Sequence, residues 1–427
     1  MTENPYTQLL VNGGISFSFP SIIKGLVGMA VIILVCWIFS SDRKNINWGT
    51  VGKALFLQLA IAVSVLAVPA VQTIFEAMGG AFIAVLNWTK AGSNFLFGSL
   101  MDMSKFGYVF ALQILPTIIF FSALTSLFFY LGILQRVVWV MGWMLTKFMK
   151  LSGAEALTCA GNIFLGQSEA PLLAKAYVPN MTKSELVVIM VSGMATMSGG
   201  VLAAYIGMLG NGDPALELEF AKHLLSASVM AAPGAIALSK ILVPQTEEID
   251  NKVSVSKDKI GKNVLDAISN GTADGLKMAA NIAALLLVFY ALIAGTNEIL
   301  GWLRLPSLET ILGYVFYPVI WFTGVPGEDI GLIGRLLGEK LILTEFVGYQ
   351  SMSQMIGSGA FHSAKSAVMA SYVLCGFANF ASVGIVIGAV GSLAPNKKHI
   401  LSQYGFKALL GSALVALMSA AMIGMFM

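Results

Sequence analysis

Eight stretches of this chain, roughly 21–40, 50–71, 108–131, 185–209, 217–243, 274–299, 363–391 and 403–426, are long and apolar enough to cross a membrane. A helix needs about 20 apolar residues to traverse the hydrocarbon core. Lipid offers no partners to backbone polar groups, so only helices and closed barrels span it. The composition agrees: 57% of the 427 residues are hydrophobic and 11% charged, against about 25% charged in a soluble domain. Such apolarity excludes disorder. A net charge of +3 with no basic stripe excludes a nucleic-acid partner. The 44 glycines and 22 methionines suit close, adaptable helix packing. Cys36, Cys159 and Cys375 are far apart, and His223, His362 and His399 are scattered, so neither disulfides nor a metal cluster are indicated. Residues 1–20 lack a basic region and a cleavage motif, and no removable signal peptide is expected. The chain reads as an all-α polytopic membrane protein.

Two further apolar stretches, about 155–178 and 333–357, carry polar residues near their middles and read as re-entrant helical hairpins. Segments 73–100 and 300–328 are mixed in polarity and read as interfacial helices and loops. The positive-inside rule then sets the orientation. Arg43 and Lys44 follow the first span and lie inside, which places the N-terminus outside. Arg136, Lys147, Lys150, Lys183, Lys252, Lys257, Lys259, Lys262, Lys397 and Lys398 fall on the same inner side, and the acidic loop 210–216 falls outside. The C-terminus is also outside. Arg335 and Lys340 on the outer hairpin are the mild exception. The pattern holds only if both broken stretches enter and leave on one side.

The two hairpins share a design. Residues 161–171 (GNIFLGQSEAP) and 343–349 (LTEFVGY) each hold one glutamate amid apolar residues, and each precedes a span with small polar residues at its centre. Those centres are Ala195 to Gly200 (ATMSGG) and Phe377 to Gly384 (FANFASVG). Three spans separate the hairpins, so the second unit is inverted relative to the first. Inverted repeats with broken helices are a transporter pattern, with the site near mid-membrane. An intramembrane glutamate marks a pathway or relay. Carbonyl, amide and hydroxyl oxygens can bind a small hard cation; carboxylates and amides can bind a polyhydroxylated solute.

At these residues the sequence resembles the concentrative nucleoside transporter family. GNIFLGQSEAPL (161–172) is close to that family's first-hairpin motif. Gly338 to Tyr349, GEKLILTEFVGY, follows the signature [GA]-x-K-x(3)-N-E-F-V-A-[YMF], with Thr344 for the usual Asn and Gly348 for the usual Ala. CGFANFASVGI (375–385) matches a further motif, with Ala381 where Ser is common. Looser likeness runs through SSDRKN (40–45), NFLFGSL (94–100) and LPTIIFFSAL (115–124). The resemblance implies a homotrimer in which a transport domain moves as an elevator across a scaffold. Residues 1–150 and 266–330 would be mainly scaffold; 151–265 and 331–427 would be the two repeat units of the transport domain. The compact chain suggests a bacterial inner-membrane protein.

The resemblance also implies roles. Gln167, Ser168 and Glu169 would face the nucleobase, with a hairpin-tip cap as the plainer alternative. Glu345, Asn379 and Ser382 would hold the ribose hydroxyls; the plainer alternative is an interhelical pair of Glu345 with Lys340. Phe377 and Val201 would line the base pocket, or simply pack. Asn162 and Thr196 side chains with Leu165 and Met197 carbonyls would hold sodium, oxygen ligands suiting a hard cation; for Thr196 the alternative is a bond back to its own helix. The expected activity is sodium–nucleoside symport, with proton coupling as the runner-up, no cofactor beyond the coupling ion, and membrane lipid as surroundings. A passive channel would not need the paired hairpins. A hydrolase built on Ser358 and His362, four residues apart, would need an orienting acid that is not evident in the sequence nearby.

Overall fold

The computed structural model describes residues 18–106, 109–253 and 261–427. The N-terminal 17 residues, and Lys257 and Lys259 among the orienting basic residues, lie outside the described residues. Regular structure in the described part is entirely helical. The chain opens with α1 (Phe19–Ile38), α2 (Trp48–Ala67) and α3 (Pro69–Phe97). Asn47 caps α2 by accepting from the Thr50 N–H. Pro69 begins α3 at the position where a missing N–H costs least. Then come α4 (Leu115–Tyr130) and α5 (Ile133–Met149), joined through Gly132 at φ 73. A series of shorter pieces follows: α6 (Gly153–Asn162), α7 (Ala170–Leu173), α8 (Lys183–Ala195) and α9 (Gly199–Gly210), ended by the long α10 (Pro214–Leu242). The second half has the same plan. After α11 (Val264–Trp302) and α12 (Leu308–Phe322) come α13 (Ile330–Ile342), α14 (Glu345–Ser358), α15 (Ala364–Leu374), α16 (Phe380–Leu393) and the long α17 (Lys398–Gly424).

Eight helical stretches of the described chain are long and apolar enough to cross a membrane, but they are not all the expected eight. Residues 363–391 form two helices of 11 and 14 residues, each too short to cross alone. Pro69–Met101 takes the eighth place. Its core, α3, is one continuous 29-residue helix where a mixture of interfacial helix and loop was expected. Thr89, Lys90, Ser93 and Asn94 dilute its apolar pattern without breaking it.

Burial divides the long helices into two classes. In Pro214–Leu242 the most apolar window is 94% buried; in Val264–Trp302 it is 11%. Helices α8, α9, α10 and α17 form the interior, whereas α1, α2, α3 and α11 keep wide apolar faces uncovered. An uncovered apolar helix face in a polytopic protein meets lipid or another chain. Helix α11 packs on α4 through two glycines four residues apart. A Cβ on Gly271 would lie 2.6 Å from the Ser126 Cβ, and one on Gly275 would lie 2.8 Å from the Ile119 Cα. Close small-residue seams of this kind join helices in membranes.

One buried ion pair ties the first series of short helices to α10. Lys240 Nζ lies 2.8 Å from Glu155 Oε2 and also donates to Ser184 Oγ and Gln245 Oε1. Glu155 completes a capping box with Ser152 at the start of α6. Removing one partner of a buried pair leaves an uncompensated charge and costs about 3–5 kcal/mol. Lys240→Met is therefore expected to melt several degrees lower in detergent, and Glu155→Gln with Lys240→Met to recover part of that loss.

Candidate functional site

The interior helices break where the sequence places small polar residues. Helix α8 stops at Ala195, and Thr196 turns to φ −112, ψ 171 before α9 begins. Helix α15 stops at Leu374, and Gly376 adopts φ 85 before Asn379 starts α16. The two breaks abut. A Cβ on Gly376 would lie 2.5 Å from the Ala195 carbonyl atoms and 2.7 Å from the Met194 oxygen. Only glycine combines that left-handed backbone with that approach.

Around the first break, Asn162 ends α6 with its side chain fully buried. Its Nδ2 donates to Ser192 Oγ at 2.8 Å, while its Oδ1 has no hydrogen-bond partner. The Thr196 hydroxyl donates back to the Ser192 carbonyl at 2.9 Å, the plainer arrangement, and its oxygen keeps lone pairs to offer. Leu165 and Met197 are buried beside them. Gln167 is buried against Gly193, with Oε1 unpartnered. Ser168 is exposed and Glu169 half-buried; Glu169 Oε2 accepts from the Gly166 N–H at 3.3 Å, as a turn cap does. The Gly199 N–H donates to the Phe164 carbonyl and fastens this turn to the start of α9. Val201 is buried on α9.

Around the second break the polar groups are in direct contact. Glu345 is the first residue of α14, where the helix dipole favours a carboxylate. Its Oε2 accepts from Asn379 Nδ2 at 2.6 Å, and Asn379 Oδ1 accepts from the Ser382 N–H at 2.8 Å. All three side chains are buried. Phe377 is half-buried at the edge of the core. Lys340 does not pair with Glu345; its two described bonds go to the Val373 and Cys375 carbonyls. No described hydrogen bond joins the Gln167–Glu169 group to the Glu345–Asn379 pair.

Sequence reasoning missed the aromatic cluster between α9 and α14. Tyr205 on α9 stacks on Tyr349 of α14 with centroids 3.9 Å apart and meets Phe346 edge-on at 4.9 Å. The Tyr349 hydroxyl donates to the Ser371 carbonyl at 3.1 Å. The signal was present: Tyr205 lies one turn beyond Val201, and Tyr349 closes the quoted motif. Ser192, one turn before Thr196, was also missed.

The orienting acid that the sequence hid from His362 is Asp329. Its Oδ1 lies 2.8 Å from His362 Nδ1, from 33 residues upstream, and holds the imidazole pKa above its ordinary value. Yet Ser358 does not share a helical face with His362. Helix α14 ends at Ser358, Gly359 is left-handed at φ 72, and the Ser358 hydroxyl donates to the Met355 carbonyl. No described hydrogen bond joins Ser358 to His362, and a hydrolytic relay requires one.

These features define a membrane transport protein with paired helix breaks at its core. The chain belongs to the concentrative, sodium-dependent nucleoside transporter family. The family's "Na+ dependent nucleoside transporter C-terminus" matches residues 223–424, its N-terminus matches 27–100, and a "Nucleoside recognition" Gate matches 111–212. An uncharacterized transporter of Haemophilus influenzae is 39% identical over 95% of this chain and 98% of its own. The nucleoside permease NupC of Helicobacter pylori is 36% identical over 94% and 97%. The rat sodium/nucleoside cotransporter 1 is 36% identical over 95% of this chain and 64% of its own. Among solved structures, CNTnw in an inward-facing substrate-bound state superposes with a TM-score of 0.89, at 37% identity, covering 95% of this chain and 99% of that one. An outward-facing variant of CNTnw gives the same TM-score, at 35% identity, covering 95% and 98%.

Gly348 and Gly376 are not equivalent. A Cβ on Gly348 would press on the end of the Leu374 side chain at 2.6 Å, with the nearest backbone atom, the Leu336 oxygen, at 3.4 Å. One on Gly376 meets fixed backbone and carries a left-handed penalty of about 1–2 kcal/mol besides. Gly376→Ala is expected to lower the melting temperature clearly more than Gly348→Ala; equal losses would argue against the close backbone approach.

Proposed function

We propose that this protein imports nucleosides by symport with sodium. The observation that carries the reading is that two of the buried oxygens without partners, Asn162 Oδ1 and Gln167 Oε1, lie five residues apart on one broken element. Buried polar atoms are almost always satisfied, and two exceptions on one broken element call for an explanation that a bound ion and a bound solute supply. Asn162 and Thr196 side-chain oxygens with the Leu165 and Met197 carbonyls would hold sodium. These are neutral oxygens suited to a hard monovalent ion. Gln167, Ser168 and Glu169, lined by Val201 and Phe377, would meet the base. Glu345, Asn379 and Ser382 would meet the ribose, the carboxylate accepting from a vicinal diol. The Asn379–Glu345 bond supports this half-site, since each partner can turn from the other to a hydroxyl.

The stretches 153–180 and 330–358 act as re-entrant hairpins on this reading, and with α8, α9, α10, α15, α16 and α17 they form the two inverted units of a moving transport domain. The scaffold is then α1 to α4 with α11 and α12. The burial contrast between α10 and α11 supports that division. The uncovered apolar faces of α3, α11 and α12 suit lipid and the other copies of a homotrimer. We place the protein in a bacterial inner membrane with both termini outside, as the basic loops indicate. Sodium would order the first break, the nucleoside would bridge both, and the loaded domain would cross as an elevator.

The test is uptake of labelled uridine and adenosine into proteoliposomes, with an inward sodium gradient or with choline in its place at equal pH. Accumulation above equilibrium only with sodium is expected. Accumulation that ignores sodium and follows a pH gradient would replace sodium by the proton. Glu345→Gln is expected to cut uptake at least about tenfold, the loss set by a hydrogen bond to a charged group. Wild-type uptake in that variant would remove Glu345 from the ribose site.

A further inference from the structure

The two breaks bring two helix C-termini together. Helix α8 ends at Ala195 and α15 at Leu374, and Gly376 packs directly on the end of α8. A helix C-terminus carries a partial negative charge of about half an electron and several carbonyls without intrahelical partners. Two such ends in contact in a dry interior repel, and the carbonyls on each need a donor or a cation. Both ends are buried.

The second end has its cation built in. Lys340 is fully buried, and its Nζ donates to the Val373 carbonyl at 2.9 Å and to the Cys375 carbonyl at 2.5 Å. It sits on α13, five residues before Glu345, and reaches across to a different helix. Both described bonds go to carbonyls rather than to a carboxylate. A buried lysine with no carboxylate in bonding distance is costly unless the surroundings supply negative potential; the paired helix ends supply it, and the Glu345 carboxylate adds to it from beyond bonding distance. At the first end no described bond comes from a lysine: the Ala195 carbonyl accepts from the Cys375 Sγ–H at 3.9 Å, and Asn162 and Thr196 bond to Ser192.

We propose that the Lys340 ammonium is a resident cation for the second half-site. It does for the end of α15 what sodium is read to do for the end of α8, and so positions Asn379 and Glu345 for substrate. This rests on the sodium reading given above. Val373 and Cys375 lead directly into the Gly376–Asn379 turn, so an ammonium clamped on their carbonyls fixes where Asn379 begins α16. Glu345 follows Lys340 on the hairpin, so the same clamp sets the spacing of the two ribose-side groups. Lys340 is thus a positioning residue, and one soluble cation suffices because the second carbonyl-rich break is already filled. Sodium dependence in the unsubstituted chain should be non-cooperative, with a Hill coefficient of about one.

The experiment uses the purified full-length chain in detergent. Lys340→Ala removes a propylammonium equivalent, so n-propylammonium is the probe and n-propanol, of the same size without charge, is the control. Melting is measured first, without nucleoside. Propylammonium is expected to raise the melting temperature of Lys340→Ala and not that of the unsubstituted chain, whereas propanol raises neither. Equal stabilisation by both, or by neither, overturns the resident-cation role. Uridine affinity in saturating sodium is measured second. Lys340→Met and Lys340→Ala are expected to lose at least about tenfold, as for hydrogen bonds from a charged donor. Propylammonium should restore Lys340→Ala, and Lys340→Arg should keep most of the affinity. Lys340→Met binding uridine within twofold of the unsubstituted chain overturns the positioning role, as does Lys340→Arg losing as much as Lys340→Met. If the unsubstituted chain binds no nucleoside, the functional reading fails and the melting arm still decides for or against Lys340.

Discussion

The structure depends on one contact, the backbone of Gly376 lying on the end of α8. A continuous helix leaves no room for it, because its carbonyls are spoken for and its side chains hold neighbours away. Breaking both helices frees carbonyls and N–H groups at the centre of the molecule, where each must find a partner. Everything near the contact answers that need. Thr196 bonds back to Ser192, Asn379 caps α16, Asn162 reaches Ser192, and Lys340 spans to the carbonyls at the end of α15. A glutamate stands at the start of α14, where the dipole has the opposite sign.

The contrast between well-covered and poorly covered helices gives this centre its setting. The breaks lie among α8, α9, α10 and α17, which are enclosed on nearly every face, so their polar groups interact in a low-dielectric medium. The Tyr205–Tyr349 stack joins α9 to α14 with both rings buried. No described hydrogen bond joins the breaks to the peripheral helices. They present apolar faces outward, and α11 adheres to α4 through a glycine seam that involves little side-chain ordering. A rigid interior against a smoother periphery is compatible with relative movement of the two, which is what the proposed mechanism requires.

What was legible in the sequence followed from local rules. Interruptions at Thr196–Ser198 and at Gly376–Asn379 stand out because small polar residues punctuate otherwise apolar runs. The glutamates stand out because charge is rare here. Two kinds of feature were not legible. Helix α3 hides because Lys90 and its polar neighbours lower the local hydropathy, although nothing in them stops a helix. Long-range partners hide because spacing says nothing about them. Spacing offers Lys340 a pair with Glu345 as the plainer alternative, but the bonds it makes go to carbonyls 33 and 35 residues away. His362 likewise finds Asp329. The Thr344 and Gly348 departures from the family motif are only partly explained. Gly348 leaves space for Leu374, whereas the Thr344 hydroxyl is buried without a partner.

The central claim is that the two breaks act as one site, the ion at the first preparing the second for the nucleoside. The most direct measurement is the affinity of the purified protein for uridine by calorimetry across a sodium series at constant ionic strength. The account predicts that affinity rises with sodium and saturates, with reciprocal tightening of sodium by uridine. An affinity unchanged from zero to saturating sodium would contradict it.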